Sequence, residues 1–588
     1  MSAFAQRLSG GAQIIGDNRT HFRLWAPGQD KISLDLEGGS TLPMVRGEAG
    51  WFELEAACGA GARYRYGLPD GTRFPDPCSR AQDGDIRGPS IVVDPLAYVW
   101  QHGDWRGRPW HEAVIYECHA GLFGGFAKLT EELPRLKALG VTAIELMPIA
   151  EFPGARNWGY DGVLPYAPES SYGAPDDLKA LIDAAHGRGL MVFLDVVYNH
   201  FGPDGNWLHL YAPQFFRKEA NTPWGESIDM QRPEVGRFFT DNALYWLNEY
   251  RFDGLRFDAV HAIHPNAWLE QLAATIRAGV EPDRQVHLIL ENEENQARLL
   301  KGPAAKLFDA QWNDDFHHAV HVMLTGEHEG YYRDHADKPA ERLARILSSG
   351  FGYQGEVSSL REGWKRGEPS GDLPPTAFVA FLQNHDQIGN RALGERLSSL
   401  VPDDALHAAM ALLLLSPQTP MLFMGEEFSA REPFLFFTDH NAELAKLVRE
   451  GRRKEFAAFP QFADPARREK IPDPNAPETF AASRIARDGA QARHWEDYVA
   501  GLLALRRERI TPGIPGCAAL GAKALGERAV LARWRLGGGE TLTLLANLGT
   551  AAVAAPDLPQ GAPLFASGAE PLGVQGCAGF STVAWLAS

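Results

Sequence analysis

Between residues 110 and 427 the chain keeps returning to one unit, a short apolar run followed in most cases by a stretch with helical spacing. Eight such runs are found, at 114–119, 141–147, 191–196, 254–258, 287–291, 307–311, 377–382 and 420–424. The segment 176–186 is representative of the stretches between them. Its apolar residues follow the 3.6-residue period, it begins after Pro175, and it stops at Gly187 and Gly189. Eight β-α units in one run fit a closed parallel barrel better than an open sheet. A barrel of this kind carries its active site at the C-terminal ends of its strands, so the polar residues that end the runs are the ones to examine.

The flanks read differently. At 588 residues the chain exceeds one ordinary domain of roughly 100–200 residues, and two or three are expected. Residues 1–100 alternate apolar and polar at 21–27, 31–36, 51–55 and 63–66, with Gly, Pro or Asp between, which predicts an N-terminal immunoglobulin-like β-sandwich. The barrel with its loop insertions is expected over 101–510, including a Pro- and Asp-rich loop or lid at 464–479 and a closing helix at 493–509. Alternation returns at 529–536 and 541–545 and predicts a C-terminal all-β domain, a second sandwich, over 511–588. The expected fold is thus multidomain: a central (β/α)8 TIM barrel between two β domains.

Composition narrows the partners. A formal net charge of -18 repels nucleic acid and acidic membrane surfaces, so a neutral substrate is the natural one. Residues 1–20 contain no continuous apolar segment that would act as a secretory signal, and no later stretch is long enough to span a bilayer. The five cysteines, Cys58, Cys78, Cys118, Cys517 and Cys577, form no CxxC pair and are odd in number, as expected of buried thiols in a reducing cytoplasm.

Four of the runs end in dense polar clusters. The third continues through Asp195 to Tyr198-Asn199-His200, the fourth is Arg256-Phe257-Asp258, the fifth ends Leu290-Glu291-Asn292-Glu293, and the seventh leads into Gln383-Asn384-His385-Asp386. Under a period of two, Arg256 and Asp258 point one way while Leu255 and Phe257 point the other. Alone, that pair reads equally as a structural ion pair. Three acids arriving from three strands at one rim, beside two histidines and an arginine, match what glycosidic bond cleavage requires: one carboxylate kept ionised and another kept protonated for the leaving oxygen. Arg256 is expected to hold Asp258 ionised, and Glu291, after an apolar run and near other acids, to have the raised pKa of a proton donor. His200 and His385 are expected to bond sugar hydroxyls. The competing reading of this set is a metal site. No HxxxH or HExxH spacing occurs among these strand-end residues, and no metal or cofactor is expected.

These residues carry a resemblance. The stretch from Asp195 to His200, Gly254-Leu-Arg-Phe-Asp258, Glu291 after its apolar run and Asn384-His-Asp386 are similar, in order and spacing, to the four signature regions of the α-amylase superfamily of glycoside hydrolases. The resemblance implies a retaining mechanism with Asp258 as nucleophile, Glu291 as general acid and base, and Asp386 as the third acid on the hydroxyls of the reacting glucose. It makes Arg256, Asp195, His200 and His385 supporting residues and Tyr160 an aromatic platform. Alternation favours Glu291 over Glu293 for the donor. Longer stretches, Asn199 to Asn206, Thr222-Pro-Trp-Gly225, Asp258 to Ile263 with His261, Asn384 to Asn390, and Met424 to Phe428 followed by Pro433 to His440, resemble the maltooligosyltrehalose trehalohydrolase family. That family cuts the α-1,4 bond next to the terminal trehalose of a maltooligosyl trehalose. The resemblance implies that carbohydrate as substrate, a place after a maltooligosyl trehalose synthase without a stable complex, and no cofactor.

Two alternatives stay open. An α-1,4-glucan branching enzyme shares the domain plan but transfers the cleaved chain to a 6-hydroxyl. A barrel that binds glucan without turning it over is the other, and the presence of all three acids argues against it. For the trehalose side, the loop 426–440 follows the eighth run onto the active rim, and Phe434, Phe437, Asp439 and His440 are expected to wall it.

Overall fold

Parallel strands close into the expected barrel in the computed structural model, which describes residues 3–222, 225–301, 307–360, 363–457, 459–568, 571–573 and 576–587. Pro223 and Trp224 of the 222–225 motif lie outside the described residues. The barrel strands are Ile115–Cys118 (β1), Ala143–Leu146 (β2), Met191–Val196 (β3), Gly254–Phe257 (β4), His287–Leu290 (β5), Ala310–Trp312 (β6), Phe378–Phe381 (β7) and Thr419–Phe423 (β8), hydrogen-bonded in that order with β8 returning to β1.

Alternation along these strands builds the interior in layers. Ile115, Ala143, Met191, Phe193, Ile289, Ala310, Trp312, Val379, Phe381 and Met421 point inward and fill the barrel with one buried apolar cluster. Their neighbours Tyr116, Ile144, Val192, Leu194, Leu255 and Leu288 point outward and join the core shared with the helices. Two residues beyond Ile115, Ala143, Phe193 and Gly254 the inward positions change character: Glu117, Glu145, Asp195 and Arg256 form a buried charged layer under the C-terminal rim. Burying charge without a partner is strongly unfavourable, so this layer must be paired, and the pairing builds the site. Gly254 starts β4 because a Cβ there would come within 2.6 Å of the His287 carbonyl oxygen and 2.8 Å of the Phe193 ring.

Helices cover the outside: Phe126–Leu139 (α1), Pro175–His186 (α2), Pro233–Asn248 (α3), Asn266–Gly279 (α4), Asp314–Thr325 (α5), Pro339–Ser349 (α6) and Asp403–Leu415 (α7). The local reasons are those read from the sequence. In α2, Pro175 takes the first turn, the Asp177 carboxylate accepts the Ala174 N–H at 2.8 Å, and Leu178, Leu181, Ile182 and Ala185 bury one face. The sixth strand differs from expectation, beginning at Ala310 rather than 307. The Asp309 carboxylate accepts the Leu288 N–H at 2.8 Å, so a side chain takes a β5 donor that earlier ladder pairing would have used. After β6 the chain makes a long excursion through α5, α6 and a hairpin of Glu356–Val357 and Lys365–Arg366 before β7.

Before the barrel, Gly11–Gly16, Arg19–Trp25, Trp51–Ala56 and Val45–Arg46 form one antiparallel sheet, and Thr41–Pro43, Ser33–Leu36, Arg63–Gly67 and Arg73–Phe74 a second. Phe22, Leu24, Phe52, Leu34, Tyr64, Tyr66 and Phe74 are buried in this region. After β8, Ala442–Phe456 (α8) and short helices Pro465–Arg468 and Pro477–Ala482 occupy the insertion, so 464–479 is partly helical. Gly489–Leu505 (α9), continued as a π-helix over Arg506–Ile510, is the closing helix; it contains 493–509 and begins a turn before it. It leads to a five-stranded antiparallel sheet, Ala518–Ala524, Ala529–Arg535, Thr541–Asn547, Ser581–Ala587 and Phe565–Ala566, with a separate hairpin of Leu572–Gly573 and Gly576–Cys577. This sheet is fastened to the barrel helices: the Trp534 indole donates to the Leu347 carbonyl at 3.1 Å and the Thr582 hydroxyl to the Ala408 carbonyl at 2.8 Å. Among the described residues no helix is long and apolar enough to cross a membrane.

Candidate active site

The charged layer is organised by Arg256. Its guanidinium lies over the Trp312 ring from β6, 4.1 Å from the centroid, and its nitrogens reach three acids from three strands. One terminal nitrogen donates to both Asp195 oxygens at 2.7 and 2.8 Å and to Asp258 Oδ1 at 2.8 Å; the other lies 2.9 Å from Glu291 Oε2. Period two puts Arg256 and Asp258 on one side of β4, and parallel register places Asp195 beside Arg256 on β3. The backbone then turns at Ala259, with φ +40°, and the Ala259 N–H points back to donate to Glu291 Oε2 at 2.8 Å.

A second chain of bonds fixes the Tyr160 ring. Glu117 of β1 holds the His385 imidazole at 2.5 Å and accepts the His385 backbone N–H at 3.1 Å. That carboxylate outweighs the burial that would lower the His385 pKa and raises it, so the charged ring can donate to the Tyr160 oxygen, 2.8 Å away. The Tyr160 hydroxyl, whose pKa burial and the Asp195 charge push up, donates in turn to Asp195 at 2.7 Å. His200 joins from the other side: Nε2 lies 2.9 Å from the Tyr160 carbonyl and Nδ1 2.7 Å from Asn199, whose amide donates to Asp258 Oδ2 at 3.1 Å. Asp386 is half-buried and accepts from the Asn390 amide at 2.5 Å. Burial raises its pKa, and His385 only partly offsets this.

The proton between Asp258 and Glu291 lies opposite to the sequence expectation. The two side chains share the Arg256 guanidinium, so each acts on the proton affinity of the other. Burial and then the Glu291 charge push Asp258 well above the usual carboxylate range, and Arg256 only partly offsets them. Burial would raise Glu291 too, but Arg256 and the Ala259 N–H outweigh it and hold Glu291 below its ordinary value. The expectation weighed Arg256 as the neighbour of Asp258 alone. In the fold the same guanidinium is divided among three carboxylates, and Glu291 has the extra backbone donor. In the free protein Asp258 is thus the acid whose proton affinity is raised and Glu291 the one whose affinity is lowered.

His261 stands close enough for its charge to favour ionised Glu291. The loop residues lie elsewhere. Asp439 pairs with Arg156 and accepts the Ala155 N–H at 3.0 Å, and His440 Nε2 is 3.5 Å from Asp161, next to the Tyr160 platform. Phe434 and Phe437 are completely buried, stacked on Trp158 and edge-on to His119, so their rings are not available to a ligand. Glu117, Glu145 and Trp312 are site residues that sequence reasoning missed, and Asn199 was read only as a member of its polar cluster. The signal was present for two of them: a lone acid in Ile115–Cys118 and in Ala143–Leu146, both apolar parallel strands, has no place in a packed interior unless it serves the rim. Glu145 has no hydrogen-bond partner for either oxygen among the described residues, and burial, then Glu117 and Asp195, push its pKa well above the usual carboxylate range.

One group of potential metal ligands is found among the described residues, Asp315, His318 and His335, with ligand atoms within 4.8 Å of one another. Asp315 is already committed there. Its Oδ1 lies 2.9 Å from the Arg366 guanidinium and 3.1 Å from His335 Nε2, so an organic cation already occupies the place a metal would take.

Comparison with known proteins agrees with this geometry. The family model for the alpha amylase catalytic domain matches residues 101–213, and a domain of unknown function, DUF3459, matches 517–583. A malto-oligosyltrehalose trehalohydrolase from Deinococcus radiodurans is 42% identical over 508 residues, covering 85% of this chain and 83% of its own. A crystal structure from Salmonella typhimurium, of a protein classed among the alpha amylases, superposes with a TM-score of 0.93 at 45% identity and covers 99% of this chain and 100% of that one. A 1,4-alpha-glucan branching enzyme from Rubrobacter xylanophilus is 35% identical over only 42% of the chain.

Proposed function

The chain belongs to the malto-oligosyltrehalose trehalohydrolase family, and from that premise we propose how its residues cut maltooligosyl trehalose. It is a retaining glycoside hydrolase of the α-amylase superfamily that breaks the α-1,4 bond beside the terminal trehalose, releasing trehalose and a maltooligosaccharide. The observation that carries the mechanism is that one guanidinium, Arg256, reaches both Asp258 at 2.8 Å and Glu291 at 2.9 Å and so keeps the two carboxyl groups close together. Retaining enzymes need their two carboxyl groups only about 5 Å apart, whereas inverting ones must leave room for a water between them.

In this reading Tyr160 lies under the reacting glucose, held by Asp195 and His385, and Asp386 takes two of its hydroxyls. As Glu291 leaves the Ala259 N–H and turns to the glycosidic oxygen, the shared proton passes from Asp258 to Glu291. Asp258 is left ionised against Arg256 and attacks C1 as Glu291 protonates the departing trehalose oxygen. Water then attacks C1 of the glycosyl ester, giving its proton to Glu291 and freeing Asp258. The leaving sugar must stand on the Glu291 side, which assigns His261 to it. Asp439 and His440, on the Tyr160 side, then serve the glucose units before the cut. The branching alternative finds a relative over less than half of the chain.

A cytoplasmic setting after a maltooligosyl trehalose synthase is supported by five unpaired, buried cysteines and by the substrate itself. The test is product identity: maltotriosyl trehalose incubated with the protein should give trehalose and maltotriose, with the new reducing end first seen as the α-anomer by NMR. Formation of α-1,6 branches from amylose, or a β-anomer as first product, would overturn the proposal.

A further inference from the structure

Between the loops that follow β7 and β8 and the helix α7, the chain surrounds a cavity of about 10 Å³. Arg396, Ser429, Glu426 and Gln383 form its polar lining, and Leu406 and Met410 of α7 its apolar side; all six are buried. The space holds one water or one monatomic ion and is too small for an organic ligand. Two donors of this lining are unused. Arg396 is 1% exposed; its Nε donates to the Glu432 carbonyl at 2.7 Å and Nη1 to the Met424 carbonyl at 2.9 Å, while Nη2 has no partner among the described residues. The Ser429 hydroxyl has none either, and Ser429 is held in left-handed backbone with φ +55°, a conformation that is costly for a residue other than glycine.

Charge around the cavity is not balanced by ion pairs. The ionisable groups facing Arg396 are Glu426, Tyr116, Glu427 and Glu432. Glu432 offers its carbonyl, and Glu427 is taken by Arg135 at 2.8 Å and by the Tyr116 hydroxyl at 2.9 Å. That leaves Glu426, whose pKa burial pushes up to about 7, with the Gln383 amide, the Phe423 N–H and Arg396 only partly offsetting it. The acceptors of the lining are already engaged: the Glu426 oxygens take the Gln383 amide at 2.8 Å and the Phe423 N–H at 2.7 Å, and Gln383 Oε1 takes the Leu397 N–H at 2.7 Å. A water placed here would receive two hydrogen bonds and meet no unengaged acceptor for its own hydrogens. An anion would be supplied by both donors and would offset a buried guanidinium that has no ionic partner among the described residues.

We propose that this cavity binds a small monatomic anion, chloride in solution, between Arg396 Nη2 and the Ser429 hydroxyl. The site is separate from the residues assigned to the sugar and does not depend on the reading of function above. Its place gives it a structural task. Gln383 directly precedes Asn384-His385-Asp386, Arg396 lies further along the same connection, and Glu426 and Ser429 belong to the loop after β8. An anion shared by Arg396 and Ser429 therefore fastens the connection after β7 to the loop after β8, behind the third acid.

The experiment uses the whole protein with sodium chloride and sodium bromide as probes. Crystals grown in bromide should give an anomalous peak at hydrogen-bond distance from Arg396 Nη2 and Ser429 Oγ, and in solution the protein should broaden the chloride NMR line saturably, with bromide competing. Ser429→Ala should weaken chloride binding roughly 10-fold. Arg396 also holds two carbonyls of the loop after β8, so the serine variant and the bromide map carry the test in place of an arginine variant. An ionised Glu426 supplies the counter-charge itself, so chloride affinity should fall about tenfold per pH unit above pH 7, and Glu426→Gln should abolish that fall. A cavity that refines as water with no bromide signal, line broadening that never saturates, or binding unchanged in Ser429→Ala would overturn the proposal.

Discussion

Two buried arginines at the same rim gather carboxylates, and only one of the two clusters is fit for chemistry. Around Arg366, Asp315 is saturated: Oδ1 has the guanidinium and His335, Oδ2 has the Asn295 amide and the Gly352 N–H, and these donors overcome burial to hold the acid far below the carboxylate range. Around Arg256 one guanidinium serves Asp195, Asp258 and Glu291 together, and among the described residues Asp258 has besides it only the Asn199 amide. A saturated carboxylate is inert because every change of its charge breaks several bonds. An under-supplied pair of acids retains a proton that can move between them. The same residue types thus give a fastener in one place and an acid–base couple in the other, and the count of donors decides which.

The contrast can be broken most directly by removing one acid from each cluster. Asp258→Asn should lower turnover of maltotriosyl trehalose by on the order of 10,000-fold while thermal unfolding stays within about 2 °C of the unaltered protein. A large loss of stability in that variant would mean that Asp258 is a fastener too. Asp315→Ala should do the reverse, costing about 3 kcal/mol by stranding a buried guanidinium and a histidine, read as an earlier calorimetric transition.

The pH profile of kcat/KM sharpens the comparison at a smaller scale. Asp258 is raised and Glu291 lowered, so the free pair holds one proton over a broad interval. Activity should fall at low pH as Glu291 is protonated, and again at high pH as the shared proton is lost, with the alkaline limb above the usual carboxylate range and a tenfold change per pH unit on each side. Glu291→Gln removes the like charge that raises Asp258, so the residual activity should lose its alkaline limb. The smallest effect is expected of Glu145→Gln. That carboxyl group is already neutral, so an amide of the same shape should change stability and kcat/KM by less than about 0.5 kcal/mol. A large change would show that Glu145 carries charge after all.

Much of this was legible beforehand because a parallel barrel writes itself plainly. Its strands are buried on both faces and therefore read as apolar runs, and its functional residues follow them in sequence. Asp195, Arg256, Asp258, Glu291, His385 and Asp386 were all found that way. Where an element departed from the rule it was misplaced: β6 began late because the Asp309 carboxylate takes the Leu288 N–H that a carbonyl further back would take in a longer ladder. Glu117 and Glu145 were passed over because a single acid inside an apolar run is easily taken for an exception to the run. The loop 426–440 was read as cleft because of its position after β8, but its phenylalanines turned inward to cover Trp158 and His119.

The amino-acid order by itself determined the barrel, its two β neighbours and the acids that meet at its rim, because strand periodicity and strand-end position are local properties that a single chain displays along its length. Tertiary structure alone decided where the proton sits and which acids are saturated. Those depend on how many donors converge on each oxygen from strands far apart in sequence, and on a single guanidinium whose charge three carboxylates must share.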